Sequence, residues 1–140
     1  MQLLDVNILM ALGDANHAHR DQALHFFEHR ATREGWATCP LTENAFIRIL
    51  GSQAYPGGPA STTAARVVLS SILRAPGHQF WSDDLSLADS AVFPNLPASS
   101  NLTDLYLLAL AVKHGARLAT LDRGINASLI PGGESALLIL

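Results

Sequence analysis

The chain has 140 residues, 49% hydrophobic and 15% charged, which suffices for one domain with a substantial core (1-140) and excludes a disordered chain. Its 12 acids against 9 bases give a formal charge of -3, so bulk positive charge is not how it would hold a nucleic acid, although a local basic patch stays open. Cys39 is the only cysteine, which excludes an intramolecular disulfide; no apolar run reaches the roughly 18 residues of a membrane span, and no Lys or Arg precedes Arg20 as a secretion signal would require, so the expected location is cytoplasmic.

Leu3-Leu4-Asp5 reads as a buried strand that turns directly into a helix over Val6 to Leu12. From His17 to Arg33 the apolar residues Ala23, Leu24, Phe26, Phe27 and Ala31 recur at three- and four-residue steps, predicting an amphipathic helix that Gly35 ends. Trp36 to Cys39 is a second strand, stopped by Pro40, which has no N–H for the ladder. Thr42 then opens a helix carrying Phe46, Ile47 and Leu50, and Tyr55-Pro56-Gly57-Gly58-Pro59 is a loop. Ser61 to Leu73 is a further helix, broken by Ala75-Pro76-Gly77, and Gln79-Phe80-Trp81 is a candidate third strand. Val92 to Ser100 reads as a connection. Leu105 to Val112 is apolar on nearly every side, as in a helix buried from more than one direction. After Gly115, Arg117 to Leu121 reads as a strand ending at Asp122, and Ala136 to Leu140 as a last strand. Short apolar strands alternating with helices predict an α/β fold with a mostly parallel sheet covered on both faces.

Ligands of open parallel sheets bind beyond the carboxyl ends of the strands. Asp5 follows the first strand, Glu43 and Asp104 fall in first turns of helices, and Asp122 follows a later strand, so four carboxylates are expected along one sheet edge. Each of the helical acids alone is explained by the helix dipole. Asp5 and Asp122, flanked by Leu4, Val6 and Leu121, are harder to explain, because such an acid is desolvated at a cost. Gathered together, the four would raise one another's pKa unless a cation sat among them. Oxygen ligands select a hard ion, Mg²⁺ or alternatively Mn²⁺, and the chemistry that follows is metal-assisted phosphodiester hydrolysis. Asn7 and Thr120, two positions from Asp5 and Asp122, are candidates to orient these acids.

Leu-Leu-Asp5-Val-Asn7, Leu-Thr-Glu43-Asn-Ala-Phe-Ile-Arg48, Leu-Thr103-Asp104-Leu-Tyr and Leu-Ala-Thr-Leu-Asp122-Arg123-Gly together resemble the four motifs of the PIN-domain ribonucleases, specifically the VapC toxins of VapBC toxin-antitoxin pairs. The resemblance implies a single PIN-like domain, an α/β/α sandwich, acting as a Mg²⁺-dependent RNA endonuclease, held inactive by a cognate antitoxin and forming a homodimer. By position it makes Asp5, Glu43, Asp104 and Asp122 the catalytic and metal-binding acids, with Asp5 and Asp104 the most dependable ligands.

Other motifs compete. His25-Phe-Phe-Glu28-His29 has the order of one zinc-peptidase class, but no third ligand is identifiable, and these histidines, with His17 and His19, fit the wet face of an amphipathic helix. A receiver domain would want a lysine at a strand end, whereas Lys113 is inside a helix; a haloacid-dehalogenase-type phosphatase would want an acid where Asn7 stands. Gly57-Gly58 and Gly132-Gly133 lack the end of a P-loop, no serine occupies a nucleophile elbow, and Cys39 has no indicated base. Arg123 and Arg48 are candidate RNA contacts, since the guanidinium fork matches phosphate oxygens; an ion pair with a site acid is the alternative for Arg123. Two rival functions remain: a non-catalytic PIN-like module that binds an antitoxin and co-represses a promoter, and a metal-dependent phosphatase. Removing the four site acids from the 12 leaves eight against nine bases, so the charge balance does not oppose an RNA substrate.

Overall fold

Leu3 and Leu4 are both fully buried, as in a strand covered on its two faces, and the computed structural model, which describes residues 1–140, places them in the middle of a sheet. This strand, β1 (Gln2–Leu4), is followed by α1 (Val6–Gly13), α2 (Arg20–Phe26), α3 (Thr32–Glu34), β2 (Trp36–Thr38), α4 (Pro40–Leu50), α5 (Thr62–Leu73) and β3 (His78–Phe80). The remainder comprises α6 (Leu102–Lys113), β4 (Arg117–Thr120), α7 (Gly133–Ala136) and β5 (Leu137–Ile139). The strands lie in the order β3-β2-β1-β4-β5, and all neighbours are parallel, with Leu3 beside Ala37 on one side and Leu118 on the other. The expected parallel sheet between helical layers is the observed fold.

Alternation along the strands assigns the two cores. Leu3, Ala37 and Leu118 pack with α6, whose residues Leu105 to Ala111 are all buried. Leu4, Trp36 and Ala119 face the opposite layer, with Ile8 and Leu9 of α1, Phe26, Phe46 of α4 and Leu69 of α5. Burying one leucine side chain contributes about 1.5–3 kcal/mol, so Leu105, Leu107, Leu108 and Leu110 together fix α6 firmly against the sheet. No helix is long and apolar enough to cross a membrane.

Several boundaries differ from the sequence expectations. The helix expected from His17 begins at Arg20, and a π-helical segment, Phe27–Ala31, separates α2 from α3. That wider turn keeps Phe26, Phe27 and Ala31 all on the buried side. α4 begins at Pro40 rather than Thr42: a proline at the first helical position loses no hydrogen bond, and Thr42 turns its hydroxyl back to accept from the Cys39 N–H at 3.0 Å. The third strand is His78–Phe80, an edge strand with Phe80 57% exposed, while Trp81 turns into the α6 core. Ala136 ends α7, a short helix absent from the sequence reading. Gly133 permits it, because a Cβ there would lie 2.4 Å from the Ala127 carbonyl oxygen.

Candidate functional site

Asp5 stands where β1 ends and α1 begins. Its extended backbone makes it the N-cap, and Oδ1 accepts the Val6 N–H at 2.6 Å. Capping alone does not explain its surroundings. Asp5 is 2% exposed, and Oδ2 accepts from the Thr120 hydroxyl at 2.7 Å and from Asn7 Nδ2 at 3.1 Å. Thr120, at the end of the adjacent β4, also accepts from Asn7 Nδ2 at 2.9 Å and from the Asp122 N–H at 3.0 Å. Asn7 Oδ1 accepts the Leu121 N–H at 3.1 Å. These bonds tie the carboxyl ends of β1 and β4 together around Asp5. Asp122 closes its own turn, with Oδ1 accepting the Gly124 N–H at 2.7 Å.

Asp104 arrives from the α6 layer, in the first turn of that helix. Its carboxyl is pushed up to about 6 by burial, then by the charges of Asp5 and Asp122. Burial also raises Asp5, with the Asp122 charge adding to it, although the Thr120, Val6 and Asn7 hydrogen bonds oppose the rise. Three segments of the chain thus bring the charges of Asp5 and Asp122 to bear on Asp104, and that of Asp122 on Asp5. The salt bridges of the molecule, Arg30–Glu34 and Lys113–Asp84, lie elsewhere, so no protein cation offsets them.

Glu43 is placed differently. It lies in the first turn of α4, and Oε1 accepts from the Thr38 hydroxyl at 2.7 Å. Thr38 Oγ1 is also 2.8 Å from His78 Nε2. Strand alternation accounts for the division, since Thr38 shares the α4 face with Trp36 whereas Asp5 follows Leu3 toward α6. The structure thus couples three of the four expected acids and gives the fourth its own partners.

No three His, Cys, Asp or Glu side chains converge closely enough to be a ready-made ligand set. The donors available are nonetheless hard carboxylate oxygens bearing uncompensated charge. Mg²⁺ keeps several waters and needs only one or two direct carboxylates, so a loose array of Asp5, Asp104 and Asp122 suits it.

The remaining candidates are dispersed. Arg123, next to Asp122, is exposed and forms no salt bridge; Arg48 is exposed in the last turn of α4, about 7 Å along the helix axis from Glu43. His25 and His29 stack at 4.4 Å on an exposed helix face, with His29 Nδ1 3.0 Å from the His25 carbonyl oxygen. Cys39 is buried, and burial together with Asp83 pushes its thiol up to about 11, which makes it a poor nucleophile. Thr38, His78 and Asp83, whose Oδ2 accepts the Leu41 N–H at the start of α4 at 3.0 Å, escaped the sequence reading. A polar residue ending a buried strand, like Thr120, was the signal that Thr38 also carried.

The PIN domain family model matches residues 3–127. Ribonuclease VapC44 of Mycobacterium tuberculosis is 39% identical over 132 residues, spanning 93% of this chain and 92% of that protein. Ribonuclease VapC38 of the same organism is 41% identical over 125 residues, spanning 89% and 87%. Among solved structures, M. tuberculosis VapC20, described as a sarcin-ricin loop cleaving toxin, superposes with a TM-score of 0.65 at 14% identity, covering 94% of this chain and 97% of that one. VapBC2 of Rickettsia felis, bound to a DNA fragment from its promoter, gives a TM-score of 0.61 at 15% identity, covering 99% and 96%. These two likenesses concern the fold, whereas the family model and the sequence relatives span most of the chain: it belongs to the PIN-domain family, among the VapC ribonucleases.

Proposed function

We propose that this chain, residues 1–140 as one domain, is a Mg²⁺-dependent endoribonuclease acting in the cytoplasm as the toxin of a type II toxin-antitoxin pair. A cognate antitoxin restrains it, and it works as a homodimer. The observation that carries the reading is the raised carboxyls of Asp104 and Asp5, pushed up by burial and by neighbouring acid charge, that of Asp122 acting on both, with no protein cation to offset it. A site of that kind is costly in a protein that only binds a partner, and it has a use where phosphate chemistry needs a hard ion. The names of the sequence relatives, all VapC ribonucleases, point the same way.

Asp5, Asp104 and Asp122 would hold the ion, with Glu43 at the margin of the site; Mn²⁺ would serve in its place. When bound, the ion supplies charge for the phosphoryl oxygens and a more acidic water. The protein's own part is orientation. Thr120 and Asn7 hold Asp5 so that its carboxylate cannot rotate away, and Thr120 also fixes the backbone turn that presents Asp122. Arg123, exposed beside Asp122 and in no ion pair, would be the first candidate to contact an RNA phosphate, and Arg48 a more distant one.

The test is cleavage of an end-labelled RNA by the purified protein with Mg²⁺, with EDTA, and after Asp5→Asn. Internal cuts that vanish with EDTA and in the variant are expected. Release of phosphate from a phosphomonoester without cutting RNA would identify a phosphatase instead. Growth arrest that persists on expressing Asp5→Asn would identify a binding module.

A further inference from the structure

Glu43 does not stand alone on the α4 side of the sheet. Thr38, the last residue of β2, is 0% exposed and donates its hydroxyl proton to Glu43 Oε1 at 2.7 Å. The same hydroxyl oxygen lies 2.8 Å from His78 Nε2, at the start of β3. A hydroxyl has one proton to give. With that proton committed to Glu43, the imidazole nitrogen facing Thr38 must be the donor, so His78 is held with its proton on Nε2.

The ring is itself held. Trp36 lies against it with centroids 4.6 Å apart at 50°, and Trp36 is fixed by its Nε1–H donating to the Pro76 carbonyl at 2.9 Å and by the edge of Phe27 at 4.9 Å. Burial lowers the His78 pKa, and the Glu43 charge reverses this only in part, which keeps the ring neutral near pH 7. Packing therefore fixes the histidine, the histidine fixes the hydroxyl, and the hydroxyl fixes the carboxylate.

We infer that His78 is a positioning residue of the proposed nuclease site: acting through Thr38, it holds Glu43 by Oε1 and leaves Oε2 without a protein partner, available to water or substrate. The inference rests on the nuclease reading. Neither Thr38 nor His78 hydrogen-bonds to Asp5, Asp104 or Asp122, so breaking the chain acts through Glu43 and spares the aspartates.

Four substitutions separate this role from simple packing. Thr38→Val keeps the branched shape of the side chain, and His78→Phe keeps an aromatic ring against Trp36, but each breaks the chain. In RNA cleavage with Mg²⁺ each is expected to lower kcat roughly tenfold with KM within about twofold. Thr38→Ser restores the hydroxyl and His78→Gln restores an N–H donor at the same reach, so both should recover most of the rate. The double variant Thr38→Val/His78→Phe should be no slower than Thr38→Val, since it cuts a chain already cut. Long-range ¹⁵N NMR of the metal-free protein reads the geometry without activity: His78 should carry its proton on Nε2, with that resonance displaced in Thr38→Val and unmoved in Asp5→Asn. Full cleavage by His78→Phe, equal losses in His78→Gln and His78→Phe, or a proton on Nδ1 would overturn the inference while an active wild type leaves the nuclease reading standing. A wild type that cuts no RNA overturns that reading, and the inference with it.

Discussion

Asp104→Asn is the substitution whose effect on stability follows most directly from the electrostatics. The carboxyl rises from 3.8 to about 6 on folding, driven by burial and by Asp5 and Asp122. A carboxyl whose folded pKa is raised favours the folded state when protonated, so its contribution is complete below 3.8 and is lost as pH rises through about 6. At 1.36 kcal/mol per pH unit the whole difference corresponds to ~3 kcal/mol. Asp104 is only half-buried, and solvent screening reduces this to about 1–2 kcal/mol. Asparagine has nearly the same shape and no charge. The variant should therefore be more stable than the wild type by about 1–2 kcal/mol at pH 7.5, raising Tm by roughly 3–6 °C, and should match it near pH 4. Urea and thermal unfolding of both proteins in EDTA at these two pH values measures it. A variant equal to or less stable than the wild type at pH 7.5 would refute the claim that these aspartates repel one another in the folded chain.

The same coupling governs metal affinity. With Asp104 titrating at about 6, Mg²⁺ or Mn²⁺ affinity should fall about fourfold between pH 7.5 and pH 5.5, as protons compete for the carboxylate, and calorimetric titrations giving one affinity at both would contradict it. Thr120→Val removes the donor to Asp5 Oδ2 and the acceptor for Asn7 and the Asp122 N–H; we expect a loss of about 1–3 kcal/mol in urea unfolding and a fall in cleavage rate, and unchanged values of both would remove Thr120 from the account. Asp5→Asn should lose cleavage by more than about 100-fold while its far-UV circular dichroism stays that of the wild type. Leu108→Ala, in the α6 core one turn beyond Asp104, should cost about 2–5 kcal/mol of stability; a cost below that would mean α6 is packed less tightly than its complete burial implies.

What the sequence disclosed and what it hid divide along the range of the interactions concerned. α6 was legible because Leu105 to Ala111 leaves almost no polar face, and such a run has one stable environment. The sheet edge was legible because Asp5, Asp104 and Asp122 each sit at a strand end or helix start that local pattern reveals, and parallel topology brings those ends to one side. The π-helical segment was not, since adjacent Phe26 and Phe27 are compatible with an ordinary helix until both must meet one core. α7 depends on Gly133 approaching the Ala127 carbonyl, a close contact that the Gly132-Gly133 pair does not by itself announce. Glu43 shows the limit most clearly. Its place in a helical first turn was readable, but its partners depend on β2 pairing with β3, which brings together Thr38 and His78, 40 residues apart. Four acids on one edge suggested one cluster, but that pattern carried no sign that Thr38 would hold Glu43 while Thr120 and Asn7 hold Asp5.

The claim at the centre of the account is that Asp5, Asp104 and Asp122 form a metal-dependent site for cutting RNA. Its most direct test is single-turnover cleavage of an end-labelled RNA by wild type and Asp104→Asn across a Mg²⁺ titration. The account predicts internal cleavage by the wild type that saturates with Mg²⁺ and is absent in EDTA, and a variant slower by more than about 100-fold at every concentration while at least as stable. Cleavage by Asp104→Asn at the wild-type rate, or cleavage indifferent to Mg²⁺, would contradict it.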